Sequence, residues 1–130
     1  MIGQWGSSGQ PTHSGTWDAW LDGYGTTHAD SLSQSVTIPA GCTGSTLSFW
    51  LHIDSSETTT SITYDRLTVT LGSTTLATYS NLNESVGYVR RSFDLTAFRG
   101  QTIRIQFEGV ENASLQTSFV IDDTALTVTR

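Results

Sequence analysis

A strict alternation of side chains runs through the segment Leu47-Ser48-Phe49-Trp50-Leu51-His52-Ile53. Successive side chains of a β-strand point to opposite faces of its sheet. The pattern therefore predicts a strand with four apolar side chains toward a core and three polar or amphipathic ones away from it. The inner set is Leu47, Phe49, Leu51 and Ile53, and the outer set is Ser48, Trp50 and His52.

Short alternating runs of this kind continue along the chain, separated by polar turns. No apolar repeat at helical spacing extends beyond about two turns. The sequence therefore predicts an all-β protein, an antiparallel sandwich or barrel of short strands. The predicted strands are Trp17–Leu21, Ser31–Ile38, Thr46–Ile53, Asp65–Leu71, Thr74–Tyr79, Tyr88–Leu95, Gln101–Glu108 and Ser118–Val128.

The chain length of 130 residues fits one domain with one core, spanning 1–130. Residues 1–16 are rich in Gly, Ser and Gln, which predicts an irregular lead-in or a broken first strand. No signal peptide is recognisable, so we expect Met1 to lie inside a longer precursor.

Charge and composition exclude several classes of partner. The formal net charge is -6, and nucleic-acid binding instead requires a basic stripe that displaces counterions. No apolar run approaches the roughly 20 residues needed to span a bilayer, which predicts no membrane insertion. The single cysteine, Cys42, follows a turn at Pro39-Ala40-Gly41 and has no partner for an internal disulfide. We expect it to be a small, half-buried side chain without a chemical role.

The outer face of the sheet is a candidate binding surface. In Tyr88–Leu95, alternation turns Val89, Phe93 and Leu95 inward and leaves Tyr88, Arg90 and Ser92 outside. Aromatic faces stack on the C–H surfaces of sugar rings, while Arg and His supply hydrogen bonds to hydroxyl groups. The candidate ligand-binding residues are Trp50, His52, Tyr88, Arg90 and Trp20. The alternative is that they pack under a predicted loop at Asp54–Thr63 or against another domain of the parent protein.

Several segments in order resemble known extracellular modules. The opening and closing segments resemble those of bacterial jelly-roll modules, and the closing F-x-IDD pattern is shared by carbohydrate-binding modules and MAM-like domains. The wider set resembles the β-sandwich modules appended C-terminally to secreted peptidases of actinobacteria, over about residues 13–130. An opening NGGFE-like strand is missing. The segments concerned are His13–Trp17, Trp20–Gly25, Leu47–Leu51, His52–Asp54, Tyr64–Val69 and Ser118–Asp123.

This resemblance implies a jelly-roll β-sandwich that acts as a secreted accessory module, most simply a monomer. It also implies a structural Ca²⁺ at Asp122 and Asp123, because sandwiches of this class often hold one there. Asp22 and Asp30 lie near the early turn that would contribute to the same site. Carboxylate oxygens are suitable ligands for Ca²⁺, and a lone cysteine argues against zinc thiolates.

Catalytic signatures are lacking. Neither a Gly-x-Ser-x-Gly elbow nor a His-Glu-x-x-His helix occurs in the sequence. A glycosidase requires two carboxylates on opposed walls of a cleft. The acidic residues Asp54, Glu57 and Asp65 instead lie around one predicted loop. We therefore predict a non-catalytic module that binds carbohydrate or a cell-surface glycan. The alternative is an interaction or stabilising domain that packs on, or targets, its parent secreted peptidase.

Overall fold

A computed structural model describes residues 2–3, 13, 15, 18–57, 63–85, 87–112 and 115–129, and these residues are almost entirely β-structure. Short 3₁₀ turns occur at Asn81–Asn83 and Thr96–Phe98. The strands are β1 (Ile2–Gly3), β2 (Asp18–Asp22), β3 (His28–Thr37), β4 (Gly44–Ser55), β5 (Arg66–Leu71), β6 (Thr74–Ser80), β7 (Val89–Asp94), β8 (Thr102–Glu111) and β9 (Thr117–Thr129).

Two antiparallel sheets form a sandwich. One has the strand order β1-β2-β9-β4-β7, and the other has the order β3-β8-β5-β6. The predicted jelly-roll β-sandwich is confirmed, and each predicted strand overlaps an observed one. No helix in the described ranges has the length and apolar character needed to cross a membrane.

The core lies between the sheets and follows the predicted alternation. Phe49 is fully buried, its ring centroid 5.1 Å from that of Phe107 in the opposite sheet and perpendicular to it. The inner row predicted for β4 is buried throughout. Val89 is an exception at the edge strand β7, where it lies opposite Leu51 but stays 37% exposed. An unpredicted inner residue, Arg91, lies opposite Phe49 and places its guanidinium 4.9 Å from the Tyr79 ring centroid.

Two predicted segments need correction. β4 continues through Ser55, so the loop expected from Asp54 begins after that residue. The strand continues because β9 supplies partners as far as Thr117. Residues 58–62 of the predicted loop, and Trp17 of the first predicted strand, lie outside the described residues. Cys42, predicted to be half-buried, is instead part of the core at 3% exposure.

One irregularity interrupts the long pairing of β4 with β9. Ser48 is paired with Ala125, and Trp50 with Asp122, so the register shifts between these two pairs. Asp123, inside the shifted segment, has a φ of 49°, a left-handed conformation that Asp tolerates better than most side chains. The irregularity is a β-bulge in the strand that carries the acidic pair.

Candidate functional site

The outer face of the five-stranded sheet brings together the five predicted ligand-binding residues. Trp50 on β4 lies between Arg90 on β7 and Asp122 on β9. In the neighbouring row, Val120 lies between His52 and Trp20. Tyr88 directly precedes β7, and its ring centroid is 5.5 Å from that of His52. The sequence-based register of this face is therefore correct.

Tyr88 crosses the face. Its hydroxyl donates a hydrogen bond of 3.4 Å to Asp18 on β2, a strand separated from β7 by β4 and β9. The pKa of Asp18 is raised to about 6, mainly by burial and to a smaller extent by Asp122. The hydrogen bond from Tyr88 acts in the opposite direction. Burial likewise raises the pKa of the Tyr88 hydroxyl, with added effects from Asp18 and Asp122. This carboxyl–phenol pair is thus a weakly acidic hydrogen-bonding unit on the face.

His13, from the lead-in, covers part of the same surface. Its ring stacks on the Trp50 indole, with centroids 3.9 Å apart and planes inclined by 17°. Its backbone N–H donates to Asp122 at 2.9 Å, and Nδ1 lies 2.5 Å from a carboxylate oxygen of Asp123. The acidic pair therefore holds an imidazole against the tryptophan. Sequence reasoning missed this role, because no local pattern joins residues about 110 positions apart.

A second polar cluster, the acidic end, closes one end of the core between the two sheets. It consists of Asp22, Asp30, Asp65 and Glu111, together with His28. On β3, Leu32 and Val36 belong to the row of side chains that faces the core. Toward the start of the strand, the same row continues with Asp30 and His28. Asp30 lies opposite Gly109 on β8, and His28 lies opposite Glu111. The row that packs the core thus becomes charged where the core ends.

Two of these carboxylates are fully buried and satisfied by hydrogen bonds. Glu111 accepts from the backbone N–H groups of Tyr24, Gly25 and Thr117, at 2.9 to 3.1 Å. Asp65 accepts from the Asn112 N–H at 2.8 Å and from the Thr117 hydroxyl at 2.5 Å. These bonds tie the loop after β2 and the start of β9 to the second sheet. Both carboxylates therefore have a structural role.

Asp22 differs from these two. It is 4% exposed, and neither of its carboxylate oxygens has a hydrogen-bond partner among the described residues. Its side chain lies over the β8 backbone at Gly109, where an added Cβ would come within 2.6 Å of Oδ2. The pKa of Asp22 is raised to about 8. Burial is the largest cause, followed by the neighbouring carboxyl groups of Glu111, Asp30 and Asp65.

The four predicted metal ligands lie in two places. Asp22 and Asp30 are neighbours at the acidic end, and the Asp22 N–H donates to Asp30 at 3.0 Å. Asp122 and Asp123 lie with His13 on the outer face. Within the described ranges, Asp22, His28 and Asp30 offer ligand atoms that all lie within 4.8 Å of one another. His28 could have been found from the sequence, because the His-x-Asp spacing places it on the same strand face as Asp30. No comparable sequence signal pointed to Glu111.

Solved structures of other proteins share the architecture of this chain. The sequence matches no protein-family model and no curated protein. The structure is similar to that of TmCBM61 in complex with β-1,4-galactotriose, with a TM-score of 0.66 and 18% identity over 98% of this chain and 80% of that one. The chain has the β-sandwich fold of a carbohydrate-binding module. A second structure with this fold, Family 16 Carbohydrate Binding Module-2, gives a TM-score of 0.53 and 18% identity, covering 90% of this chain and 80% of that one.

Proposed function

We propose that this chain is a non-catalytic, carbohydrate-binding accessory module of a secreted bacterial protein. The observation that carries the proposal is the outer face, where Trp50 and His52 on β4 lie beside Arg90 on β7 and Tyr88 just before that strand. The likeness in fold to carbohydrate-binding modules supports it. Secretion is part of the proposal because the sequence resembles modules of secreted peptidases.

The chemistry of the face suits a sugar ring. The indole of Trp50 is half-buried and offers an apolar plane for C–H groups. Arg90 is exposed beside it and can donate to ring hydroxyls, and the Asp18–Tyr88 pair can accept and donate hydrogen bonds. A sugar that stacks on the ring face now covered by His13 must first displace that imidazole.

The test is binding of oligosaccharides to the wild-type protein and to two aromatic variants. β-1,4-Galactotriose is the first ligand to try, followed by a panel of insoluble polysaccharides. Trp50→Ala should lose about 1–3 kcal/mol of affinity, as for aromatic stacking on other flat rings. Tyr64→Ala is the matched control, since Tyr64 is exposed in a loop away from the face. Equal loss in both variants, or none in either, would contradict the proposal.

A second candidate function is an interaction or stabilising domain that packs on its parent peptidase. One observation favours it: Tyr24, Tyr64 and Leu115 are 61%, 41% and 44% exposed, in loops around the acidic end. Exposed apolar side chains grouped on one surface are typical of protein contacts. If Tyr24→Ala and Tyr64→Ala weaken association with the parent catalytic domain while Trp50→Ala does not, this second function is the correct one.

A further inference from the structure

The acidic end holds more buried carboxyl groups than its own hydrogen bonds account for. Asp65 and Glu111 are fully buried and accept bonds from backbone or hydroxyl groups. Asp22 is also buried but has no donor on either oxygen in the described part of the chain. A buried carboxylate normally accepts hydrogen bonds, pairs with a cation or coordinates a metal. Among the described residues, Asp22 therefore has no positively charged or hydrogen-bonding neighbour of the kind that this environment requires.

The described part of the chain supplies no such neighbour. The sequence contains no lysine, and among the described residues no arginine forms an ion pair with the carboxylates of the acidic end. Within the described ranges, His28 lies beside this cluster, with Nε2 2.9 Å from a carboxylate oxygen of Asp30. Asp30 in turn accepts the backbone N–H of Asp22. His28 and Asp30 are thus held next to the Asp22 carboxylate without neutralising it.

The backbone around Asp22 is adapted to this placement. Asp22 has a φ of 61°, a left-handed conformation, and Gly23 follows with a φ of 86°. The carboxylate rests against β8 at Gly109, where any larger residue would meet it. Left-handed backbone at a side chain other than glycine is uncommon and is often found at functional positions.

We propose that Asp22, His28 and Asp30 bind one divalent cation between the two sheets. Their ligand atoms lie within 4.8 Å of one another, a spacing that one ion can bridge. Carboxylate oxygens outnumber the single imidazole, and the only cysteine is Cys42, so the donors favour Ca²⁺ or Mn²⁺ over Zn²⁺. The ion would join β2 to β3 and so connect the two sheets at this end.

Thermal unfolding of the full chain tests the proposal. After exhaustive EDTA treatment, the melting temperature is measured alone and with an excess of CaCl₂, MnCl₂ or ZnCl₂. Ca²⁺ or Mn²⁺ should raise it by about 6–12 °C at a hundredfold excess over Kd, because only the folded state assembles the ligands. An unchanged melting temperature with all three ions overturns the site. Stabilisation by Zn²⁺ alone overturns the assignment to hard cations.

Two matched carboxylate variants locate the ion. Asp22→Asn keeps the side-chain size and tolerates the same backbone, so it should abolish the metal-induced shift without lowering the melting temperature in EDTA. Asp122→Asn, on the outer face, should keep the full shift. If Asp122→Asn loses the shift and Asp22→Asn keeps it, the ion binds at the Asp122–Asp123 pair and this proposal is wrong. Calorimetric titration of the wild-type protein with CaCl₂ and MnCl₂ gives the same answer if a variant does not fold.

His28→Ala examines the third ligand. If the imidazole coordinates the ion, this variant should bind Mn²⁺ at least tenfold more weakly. Binding that is unchanged for every ion overturns the role of His28. The glycan test on Trp50 involves a different surface, so either proposal can fail without the other.

Discussion

The outer face and the acidic end meet at strand β2, which carries both Trp20 and Asp22, but they are stabilised differently. The face consists of side chains that lie on top of a completed sheet, and its rings contact one another and His13. The acidic end fills the space between the sheets, and its carboxylates hold backbone N–H groups of several loops. Substitution on the face should therefore alter binding more than folding, whereas loss of a hydrogen-bonded carboxylate or of its donor at the acidic end should alter folding.

The largest expected effect compares two consecutive residues of β4. Phe49→Ala should cost about 3–5 kcal/mol of stability, because the ring is fully buried against the opposite sheet. Trp50→Ala should cost about 1 kcal/mol, since its indole contacts His13 and solvent instead of the core. Urea unfolding of both variants measures the difference. Equal losses would mean that the face is as structural as the core.

At the acidic end, Thr117→Val should cost about 1.5–3 kcal/mol. Its hydroxyl is fully buried and donates to Asp65, and a hydrogen bond to a buried charged group is among the most costly to remove. The matched control is Thr127→Val, at an exposed position of the same strand, with an expected change within about 0.5 kcal/mol. Similar urea midpoints for the two variants would show that Asp65 finds another donor.

The close approach of the Asp22 carboxyl group to Gly109 on β8 provides a test with a smaller expected effect. Gly109→Ala should cost about 1–3 kcal/mol, because its Cβ would overlap the Asp22 carboxylate in a packed interior. Gly87→Ala has no heavy atom within 4 Å of its Cβ and should be close to neutral. If both alanine variants melt together, the Asp22 side chain is free to move aside.

The smallest expected effect is a pH dependence of stability that arises from Asp18 on the outer face. Burial raises the pKa of Asp18 from 3.8 to about 6, so the folded state holds more protons than the unfolded state between these values. Stability from this group is present at low pH and is lost as the pH rises through about 6, by about 1–2 kcal/mol. Asp18→Asn should remove this contribution, whereas the decline that arises from Asp22, whose pKa is raised to about 8, should persist in both proteins. Unfolding curves of both proteins from pH 4 to 8 measure it, and parallel profiles would contradict the role of Asp18.

The difference between the two regions also explains what the sequence could predict. The face was predictable because period-2 alternation in β4 and β7 places Trp50 beside Arg90 without further information. The acidic end was only partly predictable, because Glu111 and Asp65 meet Asp22 through loops far apart in sequence. His13 could not be anticipated for the same reason. Local patterns determine which face a side chain occupies, but not which distant segment covers it.

The bulge in β9 has a consequence for how related sequences should be aligned. Between the pairs Ser48–Ala125 and Trp50–Asp122, β4 advances by two residues and β9 by three. Ile121 and Leu126 therefore both contact the core although one number is odd and the other even. Deleting one residue here would remove the bulge and leave Ile121 and Leu126 four residues apart, so regular alternation would keep both side chains inside. A gap of one residue at this position in an alignment thus marks a strand without the bulge, in which the same side chains still face the core.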